Sequence, residues 1–274
     1  MSDFKITVLI NTYNWPQALK AQLLALNKGC SLPDEVIIAD DGSQDATQQM
    51  IVQLSHQLKF PIKHLWQQDN GFRVAQARNK GIYQATGDYI IFLDHDYIVR
   101  RDFISNHRKL AEPGYFVSGS RILLNETMTQ RVLDDNVDLS NKSFWWFLKN
   151  KHAKNCNRCL SSLRLPLGLS LRKLRQHSWK STRNLIAVWR EDLLAVNGYD
   201  HSFEGWGYED SDLVIRLLHD GVKRKLGKFA TEVMHLHHPI ASRDDEKSNY
   251  QRLMDTLQAK RPVQTAQGIN QLTD

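Results

Sequence analysis

The sequence lacks long hydrophobic runs and has few cysteines. No apolar stretch among its 274 residues approaches the roughly 20 that a transmembrane helix needs, so we expect no membrane-spanning segment. The first residues show neither a basic region nor a small-residue cleavage site, so we also expect no signal peptide. Cys30, Cys156 and Cys159 are too few, and odd in number, for a disulfide framework. These absences predict a cytoplasmic protein with free thiols.

Two glycine-rich signatures of nucleotide binding are also missing. The sequence contains neither G-x-x-x-x-G-K-[ST] nor G-x-G-x-x-G, so a P-loop and a dinucleotide fingerprint are both unsupported. Apolar residues make up 41% and charged residues 24%, which is ordinary for a globular protein and argues against disorder. At this length the chain can bury a substantial core.

Acidic residues are absent from one segment, residues 139–190, which contains 12 Lys or Arg. Because the whole chain carries +6, the remainder carries −6. The segment also contains Trp145, Trp146, Trp179 and several leucines, and cations mixed with interfacial aromatics are attracted to anionic membranes. We therefore expect peripheral attachment to the inner face of the cell membrane. The alternatives are a solvated loop with its apolar residues in the core, or a nucleic-acid-binding segment.

Strands alternate with short helices over the first 118 residues. KITVLINTY, DEVIIADD, FPIKHLWQ and DYIIFLDHD are typical of strands, and the stretches between them have helical spacing, with Asp45 as the expected cap of the second helix. This order predicts right-handed crossovers and a mostly parallel α/β sheet. EDSDLVIRLLHDG predicts a later helix, and the polar tail after Ser242 predicts a loosely packed one.

Polar clusters follow three of the predicted strands. They are Asn11-Thr12-Tyr13, Asp40-Asp41-Gly42-Ser43 and the D-x-D sequence Asp94-His95-Asp96. Ligands of parallel sheets bind at the carboxyl ends of the strands, so the three clusters predict one site. Carboxylates there can accept hydrogen bonds from a base, and Asp can hold Mg²⁺ or Mn²⁺ against a diphosphate. The expected ligand is a nucleotide. We expect no nucleic-acid partner, because this acidic edge would repel phosphates that no metal ion neutralises.

Five ordered stretches resemble the family 2 glycosyltransferases of the GT-A fold. They are TYNWPQALKAQLLAL, EVIIADDGSQD, NGFRVAQARNKGI, IIFLDHD and NGYDHSFEGWGYEDSDLVIRL, of which the last is similar to a motif of β-1,4-galactosyltransferases and bacterial chondroitin-type polymerases. The resemblance covers roughly residues 5–240. It implies a Rossmann-like, mostly parallel sheet flanked by helices, with a donor-binding subdomain at 1–118, an acceptor-binding and catalytic subdomain at 119–241, and a polar tail at 242–274.

The resemblance also implies a role for each matching residue. The expected donor nucleotide-binding residues are Thr12, Tyr13, Asp40, Asp41, Arg78, Asp94 and His95, with Asp40 or Asp41 on the uracil ring and Asp94 on the ribose or sugar side. Asp96 is the expected ligand of Mn²⁺ or Mg²⁺, and HLHHP offers a second ligand, His235 before His238. Trp206 and Glu209 would hold the acceptor, and Asp210 would be the general base.

The implied reaction is an inverting transfer from a UDP-sugar to a hydroxyl of a bacterial envelope glycan, such as lipopolysaccharide core, a capsule precursor or a lipid-linked acceptor. It needs one base, whereas a glycoside hydrolase generally needs two carboxylates that flank the bond. Two alternatives remain from the residues alone. One is a sugar nucleotidyltransferase, and the other is a nucleic-acid-binding protein that uses residues 139–190.

Overall fold

The computed structural model describes residues 4–135, 137–182, 185–239 and 245–272. These residues form a mixed α/β fold with two sheets. The strands are β1 (Ile6–Thr12), β2 (Glu35–Asp40), β3 (Ile62–Trp66), β4 (Tyr89–Asp94), β5 (Tyr97–Val99), β6 (Tyr115–Ser118), β7 (Ser120–Leu123), β8 (Ile186–Trp189), β9 (Lys223–Leu226) and β10 (Glu232–His235).

Helices connect most of these strands. They are α1 (Pro16–Asn27), α2 (Asp45–Ser55), α3 (Val74–Gln84), α4 (Phe103–Leu110), α5 (Glu126–Leu133), α6 (Phe144–His152), α7 (Leu169–Arg172), α8 (Arg190–Ala195), α9 (Glu209–His219) and α10 (Glu246–Leu257). In the described part of the chain, every helix is too short or too polar to cross a bilayer.

The central sheet has seven strands in the order β3-β2-β1-β4-β8-β6-β9. Only β8 runs antiparallel to its neighbours, β4 and β6, so the mostly parallel sheet is confirmed for the described residues. This sheet takes strands from both sides of residue 118. A second sheet, β5-β10-β7, has three strands.

Alternating side chains of β1 explain why this strand lies in the middle of the molecule. Ile6, Val8 and Ile10 enter one hydrophobic core, whereas Leu9 enters the other, and all four are fully buried. Successive side chains of a strand point to opposite faces, so a run of apolar residues needs cover on both sides. Apolar residues of α1 and α2 belong to the first core, and those of α3 and α9 belong to the second.

Strand register brings the polar clusters to one edge. Thr12 of β1 lies opposite Asp40 of β2, and Asn11 lies opposite Asp94 of β4. The second sheet adds a distant segment, because His235 of β10 lies opposite Tyr97, the residue after Asp96. The fold therefore brings the carboxyl ends of β1, β2 and β4 close to the end of β10, which lies far away in the sequence.

Two local predictions were wrong. Gln44, not Asp45, is the N-cap residue of α2, because Gln44 has extended dihedral angles, φ −71° and ψ 164°, and the helix begins at Asp45. The tail does form a helix, α10, but not a loose one. The Thr256 hydroxyl donates to Asp212 Oδ1 at 2.7 Å, and both residues are fully buried.

Candidate active site

A buried arginine joins the end of β4 to the start of α9. Arg78 of α3 is only 3% exposed. Its Nη1 donates to Glu209 Oε1 at 3.2 Å and to Asp210 Oδ1 at 3.0 Å, and its Nη2 donates to Asp94 Oδ1 at 3.3 Å. These four residues are called the Arg78 cluster. It brings together residues that are 131 and 132 positions apart in the sequence.

Neutral groups fix the orientation of the guanidinium. Asn11 Oδ1 accepts hydrogen bonds from Nε at 3.3 Å and Nη2 at 3.2 Å of Arg78. The Tyr199 ring lies against the guanidinium, 5.1 Å from its carbon to the ring centroid. Asn79 in turn holds the Tyr199 backbone, donating to its carbonyl at 2.7 Å and accepting from its N–H at 2.8 Å. Arg78 thus has a defined position before any ligand binds.

The charges of the Arg78 cluster and their burial shift the pKa values of both the arginine and a carboxylate. Burial alone would lower the pKa of Arg78, but Asp210 and Glu209 raise it above its ordinary value. Burial raises the pKa of Asp210 to about 8, with Arg78 opposing this shift and Glu209 and Asp94 adding to it. Asp210 therefore accepts a proton far more readily than an exposed aspartate does.

The loop before α9 has an unusual backbone. Gly205, Gly207 and Tyr208 all have positive φ, at +70°, +114° and +73°. A side chain at Gly205 would collide with Asp245, which precedes α10, so this close approach requires glycine. Tyr208 costs about 1–3 kcal/mol in this conformation, a strain that concentrates at functional sites. Trp206 lies between the two glycines and is partly buried.

A carboxylate and two imidazoles converge beyond β4. Asp96 Oδ2 lies 2.8 Å from His235 Nε2 and 3.1 Å from His238 Nε2. The chain turns after β10, which returns His238 to the side of His235, whereas the exposed His237 lies outside this group. Asp96, His235 and His238 are called the Asp96 triad.

The Asp96 triad has the donor atoms of a divalent metal site. One ligand atom from each residue lies within 4.8 Å of the others. Asp96 Oδ1 is buried and has no hydrogen-bond partner among the described residues, so it is available to a cation. Burial would raise the pKa of Asp96, but hydrogen bonds from His235 and His238 hold it well below its ordinary value. The residues present therefore fit a bound cation.

Asp40 and Asp41 tie the end of β2 to its neighbours. Asp40 Oδ2 lies 2.8 Å from His64 Nε2, and this hydrogen bond lowers the pKa of Asp40 although burial opposes it. Asp41 accepts hydrogen bonds from Gln67 Nε2 at 2.6 Å and from the Arg73 N–H at 2.8 Å. Burial raises the pKa of Asp41. Both carboxylates thus have structural contacts away from the Arg78 cluster.

The remaining predicted residues lie around the end of β1. The buried Thr12 hydroxyl has no hydrogen-bond partner within the described ranges. Tyr13 is half-exposed, and its hydroxyl donates to Asp69 Oδ2 at 2.9 Å. His95 Nδ1 lies 3.2 Å from the Asn11 carbonyl oxygen, which links the first and last polar clusters.

Two of the aromatic residues that sequence reasoning missed lie near Arg78 and the loop before α9. Tyr199 packs against Arg78, and Tyr250 of α10 packs against Tyr208, with ring centroids 5.5 Å apart. Tyr199 belongs to the NGYD stretch, which could have signalled it. Tyr250 lies in a polar segment without any motif, so its position depends on tertiary packing alone.

Two family profiles together match most of the chain. Residues 7–166 match the profile described as glycosyl transferase family 2, and residues 164–239 match the profile described as N-terminal domain of galactosyltransferase. The sequence is 27% identical over 278 residues to an uncharacterized glycosyltransferase, YfnE, of Bacillus subtilis, covering 92% of this chain and 70% of that protein. It is 25% identical over 243 residues to chondroitin synthase of Pasteurella multocida, covering 79% of this chain.

A solved structure of GalNAc-T7 with UDP, GalNAc and Mn²⁺ has the same fold. The TM-score is 0.63 at 18% identity, and the match covers 92% of this chain and 48% of that one. This likeness shows the GT-A fold. The chain spans only 23% of the length of chondroitin synthase.

Removing the Arg78 charge should destabilise the protein strongly. Arg78→Met leaves Asp94, Glu209 and Asp210 facing one another without a cation, so the free energy of unfolding should fall by about 3–5 kcal/mol. Urea unfolding at neutral pH measures this change. Adding Glu209→Gln to Arg78→Met removes one uncompensated charge and should restore part of the loss. A double variant no more stable than Arg78→Met would contradict this role of the carboxylates.

Proposed function

The chain belongs to glycosyl transferase family 2, and we propose that it transfers a sugar from a UDP-sugar to a hydroxyl of a bacterial envelope glycan, with inversion at the anomeric carbon. The observation that carries this proposal is the Arg78 cluster, because it fixes Asp210 beside the strand end that carries Asp94. A donor bound at the strand ends would lie within reach of a base at the start of α9.

Asp210 acts as the general base in this proposal. The acceptor hydroxyl must lose its proton as its oxygen attacks, and one carboxylate opposite the leaving group is sufficient. Burial raises the pKa of Asp210 to about 8, which brings its proton affinity closer to what such a step needs. Glu209 shares Arg78 Nη1 with Asp210 and orients the acceptor.

The donor residues divide by their accessibility. Asp40 is fully buried, whereas Asp41 is 6% exposed, so we assign the uracil contact to Asp41 and a supporting role to Asp40. Thr12, Tyr13 and His95 complete the nucleotide side. Arg78 uses its guanidinium to hold three carboxylates, and therefore positions Asp94 and Asp210.

The Asp96 triad would hold a divalent cation. Mg²⁺ takes oxygen ligands, so of the two expected ions a site with two imidazoles suits Mn²⁺ better than Mg²⁺. When bound, such an ion supplies positive charge to the departing diphosphate. The Mn²⁺ and UDP named for GalNAc-T7 support both the cation and the donor class.

The acceptor side lies at the start of α9. Trp206 would stack on the acceptor sugar from its partly buried position between Gly205 and Gly207. Close to Trp206 in the sequence, the ring of Tyr208 packs against the ring of Tyr250 of α10. A lipid-linked or lipopolysaccharide-core acceptor would place the protein at the inner face of the cell membrane, as the basic segment predicts.

Replacing the proposed base should separate binding from chemistry. Asp210→Asn should keep its affinity for UDP and lower transfer by about 10²–10⁴-fold, because the amide cannot take the proton. A panel of UDP-sugars with Mn²⁺, with released UDP as the readout, measures this effect. Pyrophosphate as the product would indicate nucleotidyl transfer instead.

The wild-type pH profile belongs to the same test. The ionised form of Asp210 is the base, so transfer should rise with pH up to about 8 and then level off. Asp45→Asn is the matched control, since Asp45 is an exposed acid in the first turn of α2. Normal transfer by Asp210→Asn would refute the assignment of the base.

Loss of a triad histidine should weaken metal binding. His235→Ala removes one of the three donors, so Mn²⁺ affinity should fall by at least the roughly 10–100-fold that loss of an outer-shell partner costs. Electron paramagnetic resonance of free Mn²⁺ measures the affinity. His237→Ala, two residues away and outside the triad, should bind Mn²⁺ as the wild type does. An equal loss of Mn²⁺ affinity in the two variants would show that the Asp96 triad is not the metal site.

A further inference from the structure

Large apolar side chains are exposed in an unusual concentration within residues 145–174. Six of the 15 exposed large hydrophobic residues in the described chain lie in this short stretch. Trp145 is 74% exposed, Leu169 64% and Leu174 72%. The six form what we call the apolar patch: Trp145, Leu160, Leu165, Leu169, Leu171 and Leu174. Other apolar residues of the segment, such as Phe147, do enter the core, but these six do not.

Exposed cations accompany the apolar patch. Six basic residues between 149 and 180 are exposed and form no ion pair with any residue that the structure describes: Lys149, Lys151, Lys154, Arg158, Arg175 and Lys180. Trp145 and Lys149 are one helical turn apart on α6, so they share a face of that helix. Because the segment contains no Asp or Glu, nothing in it neutralises these charges.

Other basic residues anchor the segment to the body of the protein. Arg164 donates to both carboxylate oxygens of Asp102, at 2.6 and 2.7 Å, and to Glu232 at 2.7 Å. The buried Arg172 donates to the Leu226 carbonyl at 2.8 Å. The exposed leucines on either side of these anchors therefore project from a fixed backbone, and their exposure does not come from an unattached loop.

The segment also borders the Asp96 triad. Leu123 exchanges hydrogen bonds with Asn157, donating to its Oδ1 at 2.9 Å and accepting from its N–H at 3.0 Å. In the second sheet Leu123 lies opposite His235. One strand therefore separates the segment from a residue of the triad.

We propose that the apolar patch and its cations dock the protein on the surface of an anionic lipid bilayer. Leucine and tryptophan side chains enter the boundary between head groups and acyl chains, and the cations bind the anionic head groups. Charge complementarity selects this partner, since a segment with exposed cations and no acids matches a surface of uniform negative charge. Nucleic acid would satisfy the cations but would leave the leucines in water.

The docking would have a consequence for the candidate site. Because the segment borders the triad, a docked protein would hold its strand-end edge close to the head groups. A lipid-linked glycan acceptor could then reach Asp210 without leaving the bilayer. This consequence depends on the proposed function, whereas the docking itself does not.

Sedimentation with vesicles tests the docking on the full chain. The protein should bind phosphatidylcholine vesicles that contain phosphatidylglycerol, bind pure phosphatidylcholine much less, and lose binding as salt increases. Lys149→Gln with Lys151→Gln should lower partitioning by about 25-fold, at roughly fivefold for each cation near the surface. Lys20→Gln with Lys59→Gln is the matched control, since both lysines are exposed but lie outside the segment.

The apolar contribution has its own variant. Leu169→Asn with Leu174→Asn keeps the charge and changes only exposed side chains, so the protein should stay folded and lose anionic vesicle binding. UDP affinity, measured in parallel without lipid, reports on the candidate site separately. Intact UDP binding without vesicle binding would overturn the docking and leave the proposed function standing, and the reverse result would overturn only the function.

Three further outcomes would overturn the docking. They are equal binding to neutral and anionic vesicles, an equal loss in the Lys20 and Lys59 control, and self-association that the two leucine substitutions abolish. A fourth outcome is binding to single-stranded RNA and not to vesicles. If Lys149→Gln with Lys151→Gln abolished that RNA binding, the surface would be a nucleic-acid-binding one.

Discussion

The candidate site depends on the ion pairs between the buried guanidinium of Arg78 and three carboxylates. A charge with so little access to water is stable only when opposite charges and hydrogen-bond acceptors surround it. Asp94, Glu209 and Asp210 supply those charges, and Asn11 and Tyr199 fix its orientation. The dependence is mutual, because the three carboxylates would repel one another without Arg78. One interaction therefore sets the position of the proposed base relative to the strand that carries the D-x-D sequence.

The buried carboxylate of Asp96 also needs stabilising partners, and here they are histidines. Asp96 lies beside the core because it connects β4 of the central sheet to β5 of the second sheet, and its charge also needs a partner. That second sheet provides one by placing β10 antiparallel to β5, which brings His235 next to Asp96. Arg78 and the histidine pair of the Asp96 triad thus make a crowded acidic edge possible.

The strands and their shared edge could be predicted from the sequence, because each strand is a continuous apolar run followed by polar residues, and parallel strands end together. The pairing of Arg78 with Glu209 and Asp210 could not, because it joins residues more than 130 positions apart and no local pattern encodes it. His238 lies beside His235 because the chain turns after β10. The alternation of side chains along a strand would have placed it on the opposite face. The packing of α10 was missed because the buried hydrogen bond of Thr256 joins it to Asp212, 44 positions away. The α2 cap was missed by one residue, which is the ordinary uncertainty of a helix end.

A crystal structure of the protein with UDP and Mn²⁺ tests the central claim most directly. The claim is that two positive centres, Arg78 and a bound cation, hold the acids of this edge around a nucleotide diphosphate. The account predicts manganese bound by Asp96, His235 and His238, in contact with the diphosphate, while Arg78 keeps its contacts with Asp94 and Asp210. Manganese and UDP bound elsewhere, with the strand-end edge empty, would contradict it.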